Sequence, residues 1–87
     1  MEIRTLPAIQ NINGELEPIR VGKWYTASYG YEVVTGYCVD VLPTGCILKF
    51  RWGDIFRSRY YIDYSLIKGE CNDPRVIAKA LRLIGAR

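Results

Sequence analysis

From Cys46 to Ile62 the chain alternates apolar and cationic positions with the period of a strand. Successive side chains point to opposite faces. Cys46, Leu48 and Phe50 therefore share one side, and Ile47, Lys49 and Arg51 the other. In the second arm Phe56, Ser58, Tyr60 and Ile62 fall together, opposite Ile55, Arg57, Arg59 and Tyr61. A three-residue loop of Trp52, Gly53 and Asp54 makes this a β-hairpin, pairing Arg51 with Ile55 and Lys49 with Arg57. That register stacks Leu48, Phe50, Phe56 and Tyr60 as a core face and gathers four cations behind it. Like charges directly opposite cost stability, so the arrangement suggests an anionic partner.

Elsewhere the pattern is also strand-like. Asn13-Gly14 is a hairpin signal, because both positions tolerate positive φ. It separates Ala8–Ile12 from Glu15–Val21, with Pro7 and Pro18 confining those arms to sheet edges. Residues 1–20 thus read as an N-terminal arm or hairpin. Trp24–Tyr29 is rich in aromatic and β-branched residues and runs into a Tyr29-Gly30-Tyr31 turn. Glu32–Leu42 is long for one strand, and Gly36 is where it bends or bulges. Pro43-Thr44-Gly45 closes the next turn, with Pro43 at the first corner and Gly45 able to adopt the left-handed conformation. Asp63–Cys71 holds either one helical turn or a last short strand.

Residues 73–84 read as a helix: Asp73 caps it, Pro74 takes its first position and Gly85 stops it. Ile77, Ala80, Leu81 and Ile84 form its apolar stripe, flanked by Val76 and Leu83. Arg75, Lys79 and Arg82 line the opposite side.

Five or six short strands with frequent turns and one terminal helix predict a mainly β fold, a small, strongly bent antiparallel barrel. Val21–Ala27, Gly36–Val41 and Gly45–Phe50 resemble the entry, second and third strands of SH3-like and Tudor-like barrels. The resemblance covers residues 21–70, leaving the N-terminal arm and the helix outside it. It implies that the loop around Tyr25, Tyr29, Tyr31 and Tyr37 lines a ligand groove.

Eighty-seven residues make one domain, and 49% hydrophobic with 13% aromatic residues is enough to build a small core. The net charge of +3 is unevenly held. Residues 1–45 carry three basic and five acidic side chains, a net of −2; residues 46–87 carry nine and four, a net of +5. The basic character belongs to the second half. No run of eighteen apolar residues marks a membrane-spanning helix, and Met1–Pro7 lacks the basic start and apolar core of a signal peptide. A cytoplasmic location is expected. Cys38, Cys46 and Cys71 have no CxxC spacing and there is no histidine, so neither a metal nor a cofactor is expected. The cysteines read as buried or half-buried thiols.

With no histidine, the usual general base near neutral pH is missing. The carboxylates are scattered and no phosphate loop appears; an enzyme is not expected. Lys49, Arg51, Arg57 and Arg59, with Tyr61 and Trp52, offer guanidinium forks for phosphate and rings for stacking. The same cations could instead solvate a sheet face or meet an acidic protein surface. Arg75, Lys79 and Arg82 form a possible second patch. Trp24, Phe50, Phe56 and Tyr60 are assigned to the core.

The chain is thus expected to be a non-catalytic binding module for a polyanion, most simply DNA or RNA, with no membrane role. The alternative is a protein-interaction module, a small adaptor or an inhibitor of a larger enzyme. It would bind through Tyr25, Tyr29, Tyr31, Tyr37 and the helix. A compact domain of this kind also resembles small proteins of phages and other mobile elements. Homodimerisation is compatible with either reading.

Overall fold

A computed structural model describes residues 8–10, 13–50 and 59–85. Arg51, Trp52, Phe56 and Arg57 lie outside the described residues, as does Met1–Pro7.

The fold is mainly β with one C-terminal helix. A short antiparallel pair, β1 (Ala8–Gln10) and β2 (Leu16–Pro18), precedes the main sheet. The main strands are β3 (Trp24–Tyr29), β4 (Glu32–Val41), β5 (Gly45–Lys49), β6 (Arg59–Asp63) and β7 (Ile67–Glu70). A 3-10 turn at Tyr64–Leu66 joins the last two, and α1 (Pro74–Gly85) ends the fold. The strand order is β6-β5-β4-β3-β7, with every ladder antiparallel. The two strands at opposite edges are therefore joined by one three-residue turn. Only a sharply curled sheet brings its edges that close. No ladder joins β6 to β7 among the described residues.

The first pair places Ala8 opposite Pro18 and Gln10 opposite Leu16. A two-residue Asn13-Gly14 loop would have set a register one residue away. Instead Gly14, at φ +79°, sits within a longer connection. The β3–β4 turn is tight: Tyr29 pairs with Glu32. Gly30, at φ +61°, takes the first central position, where a type II′ turn favours glycine.

Gly45 does not take the left-handed conformation open to it. A Cβ there would run into the Ile62 carbonyl and stand 2.7 Å from Tyr61 Cζ. Close approach of β6, not turn geometry, explains the glycine. Gly36 is similar, since its Cβ would lie 2.9 Å from Leu48 Cβ and 3.1 Å from Phe50 Cδ1.

The interior is filled by alternate residues of each strand. Tyr25 and Ala27, Val34 and Cys38, Cys46 and Leu48, and Tyr60 and Ile62 are buried, with Ile19, Phe50 and Tyr64 completing the core. Phe50 and Tyr60 stack at 4.4 Å between centroids, and Tyr29 packs edge-on against both. The Tyr25 hydroxyl accepts the Arg20 N–H at 2.8 Å, which satisfies its polar end, and burial pushes its pKa up. Cys38 and Cys46 are buried free thiols. Cys46 is pushed well up, because its thiol hydrogen-bonds the Cys38 sulfur and because it is buried.

Lys23 ties the small hairpin to the sheet. Its ammonium bonds Glu17 of β2 and, at 2.9 Å, Glu70 of β7. Those two hydrogen bonds hold its pKa up at about 12.

The helix begins as expected: Asp73 Oδ1 accepts the Arg75 N–H at 2.9 Å, capping the first turn. Its seating differs from the expected stripe. Val76, Ala80 and Leu83 line a groove against Glu32–Thr35 of β4, and Ala80 is buried. Ile77 is half-buried, while Leu81 is 55% exposed. The apolar arc is wider than one strand can cover: among its described residues Ala80 is buried, Ile77 half-buried, and Val76 and Leu83 line the groove while remaining partly exposed. No helix among the described residues is long and apolar enough to cross a membrane.

Candidate nucleic-acid interface

The hairpin register determines which cations meet. Lys49 stands opposite Arg59, and Leu48 opposite Tyr60. The expected partner of Lys49 was Arg57; the observed pairing is displaced by two residues. An even displacement preserves faces, so Cys46, Leu48, Tyr60 and Ile62 still point inward. Lys49, Arg59 and Tyr61 remain on the outer side. Trp52, Arg51 and Arg57 belong to the segment outside the described residues.

The same outer face continues across the sheet. Lys49 pairs with Tyr37 on β4, and Tyr37 with Trp24 on β3. Trp24, Tyr37, Lys49 and Arg59 thus form one row across four strands. Neighbouring strands lie about 4.7–4.9 Å apart, so the row spans roughly 14 Å. Trp24 and Tyr37 meet edge to face, 5.5 Å between centroids. Trp24, expected in the core, is half-buried on the outer face, because the inward positions of β3 are Tyr25 and Ala27. One step along, Tyr61 is 46% exposed, and its hydroxyl shares a 2.5 Å hydrogen bond with Thr44.

Electrostatically the row is one-signed. Among the described residues no carboxylate forms an ion pair with Lys49 or Arg59. Glu70 pairs in register with the inward Tyr25, which puts it on the opposite face, where it and Glu17 hold Lys23. Asp63 has the parity of Arg59 and Tyr61, but its carboxylate accepts the Ser65 N–H at 2.9 Å and caps the 3-10 turn. That bond lowers its pKa. Asp40 accepts the Val41 N–H.

The remaining candidates are dispersed. Tyr25 is 1% exposed and belongs to the core, so it offers no surface for a partner. Tyr29 is half-buried against Phe50 and Tyr60. Tyr31 projects fully from the β3–β4 turn. Tyr37 belongs to the cationic row rather than to this loop. Arg75, Lys79 and Arg82 are exposed on α1, and of these Lys79 lines the groove beside β4.

What sequence reasoning missed is the link from Trp24 and Tyr37 to the cations. Each strand's alternation was readable, but the cross-sheet register depends on a bulge between Cys38 and Asp40. The available signal was that Trp24 and Tyr25, as consecutive strand residues, must face opposite sides of the sheet. No known protein family, curated protein or solved structure matches this chain in sequence or fold comparison.

Proposed function

We propose that this protein is a non-catalytic binding module that engages nucleic acid through the outer sheet face bearing Lys49 and Arg59. The observation that carries the reading is their direct cross-strand pairing without a carboxylate partner among the described residues. Two like charges held opposite each other are destabilising in the free protein, and a phosphate between them relieves that repulsion. Tyr61, Tyr37 and Trp24 flank the pair with rings suited to bases. Arg51, Arg57 and Trp52, the other candidates the sequence offers for this contact, lie outside the described residues.

The fold in this reading is an SH3-like barrel. Its support is the strand order together with the single 3-10 turn between the two edge strands. The three free cysteines are in keeping with action in the reducing cytoplasm.

The test is fluorescence anisotropy with labelled DNA and RNA pools over a range of salt. Counterion release gives a slope of about −0.7 per phosphate neutralised on single strands. Lys49 and Arg59 alone predict a slope of about −1.4, or about −2.8 with Arg51 and Arg57 added. Reversing Lys49 and Arg59 to Glu removes their share. Absence of salt-sensitive binding at low ionic strength overturns the reading.

A second reading, a protein-interaction module, is favoured by a different surface. Val33 and Leu83 are 61% and 44% exposed beside the groove of about 300 Å³ between β4 and α1, and Tyr31 projects nearby in sequence. Capture from lysate that survives nuclease treatment and is lost in Leu83→Asp supports it.

A further inference from the structure

We infer that the outer face takes an unpaired strand, with Trp24 and Tyr37 as the base-stacking end and Lys49 and Arg59 as the phosphate-binding end. This rests on the nucleic-acid reading and narrows it to single-stranded ligands. Three observations converge on it.

The first is the order of side chains in the row. Rings occupy β3 and β4, and cations occupy β5 and β6. A strand lying across the sheet meets stacking surfaces first and charges second. In a duplex the base faces are already stacked on one another, so the rings would be left without work.

The second is magnitude. Non-specific duplex binding derives essentially all its affinity from phosphate neutralisation. Two paired cations in the described row, in a chain of net charge +3, give a small electrostatic contribution. Aromatic stacking supplies the larger share on an unpaired strand, and it tolerates any base because each has a π-face.

The third is construction. Trp24 is held edge to face by Tyr37 on the widest-paired part of the sheet. β3 and β4 each have neighbours on both sides. Tyr61 is fixed through its hydroxyl to Thr44. Rings anchored this way lose little conformational freedom when a base stacks on them.

The experiment compares oligothymidylate, oligouridylate and a duplex of the same length at one salt concentration. Binding is read by anisotropy and by tryptophan emission in a Trp52→Phe background, where Trp24 is the remaining emitter. Single strands are expected to bind at least about tenfold tighter than duplex and to quench Trp24. Trp24→Ala is expected to lower single-strand affinity on the order of tenfold while leaving the salt slope unchanged. Either sugar type binding in this way supports the inference, and the stronger of the two identifies the source. Duplex binding as tight as single-strand binding, or strand binding that leaves Trp24 emission unchanged, overturns it while the broader reading stands. No salt-sensitive binding to any of the three removes both.

Discussion

Lys49 and Arg59 are direct cross-strand partners on β5 and β6, and neither has a carboxylate partner among the described residues. The pairing sets a conflict between stability and binding. Lys49→Glu replaces repulsion with an opposite-charge pair, so stability should rise by about 0.2–1 kcal/mol and polyanion affinity should fall. Adding Arg59→Glu restores a like-charge pair and should cancel the gain. Thermal melts of the three proteins at low salt check the sign, and the difference should shrink as salt is raised.

Gly36 is expected to reject any side chain. A Cβ 2.9 Å from Leu48 Cβ leaves no room between β4 and β5. Gly36→Ala should cost about 1–3 kcal/mol through overpacking. Gly14, with nothing within 4 Å of the added atom but φ +79°, should cost less on substitution to Asn than to Ala, since Asn tolerates that conformation. Chemical denaturation distinguishes the two effects.

Lys23 gives a pH dependence of known sign. Its pKa is raised from 10.5 to about 12 by Glu17 and Glu70. A raised pKa means the folded state holds the proton more tightly than the unfolded one. The stabilisation is therefore full below about pH 10.5 and is lost as pH rises through about 12. Lys23→Met should loosen the β1–β2 hairpin throughout the neutral range. Faster amide exchange at Glu17, with little change at Leu48, is the expected pattern.

The helix seating predicts an asymmetry between neighbours. Leu81→Gln lies on the uncovered part of the apolar arc and should change stability by less than about 0.5 kcal/mol. Ala80 is 8% exposed against β4, so Ala80→Gln should cost about 1–3 kcal/mol. Equal effects at the two positions would contradict the observed seat.

How far the sequence could be read follows from which interactions are local. The inward positions Cys46 and Leu48 of β5 and Tyr60 and Ile62 of β6 follow from alternation alone, and the Asp73 cap follows from residue type just ahead of Pro74. The β5–β6 register does not, because the tip connection sets it and strand patterns separated by two residues look identical. The place of Trp24 is not legible, because a large aromatic ring suits a core or a half-covered sheet face equally well. Tyr25 goes the other way, and the Arg20 backbone, whose N–H donates to its hydroxyl and whose carbonyl accepts from it, explains why a polar tip can be buried. The helix stripe was recognisable, but its wide arc gave no preference for the Val76–Leu83 margin. Gly45 looks like a turn residue in sequence, yet it is required by the Ile62 carbonyl across the sheet, a contact distant in sequence.

The most direct measurement is amide and side-chain shift mapping by NMR as a short single strand is titrated into the protein. The account predicts perturbations concentrated at the Trp24 indole, Tyr37, Lys49, Arg59 and Tyr61, all on one face. Perturbations centred instead on Val33, Val76 and Leu83, or none at all at low salt, would contradict it.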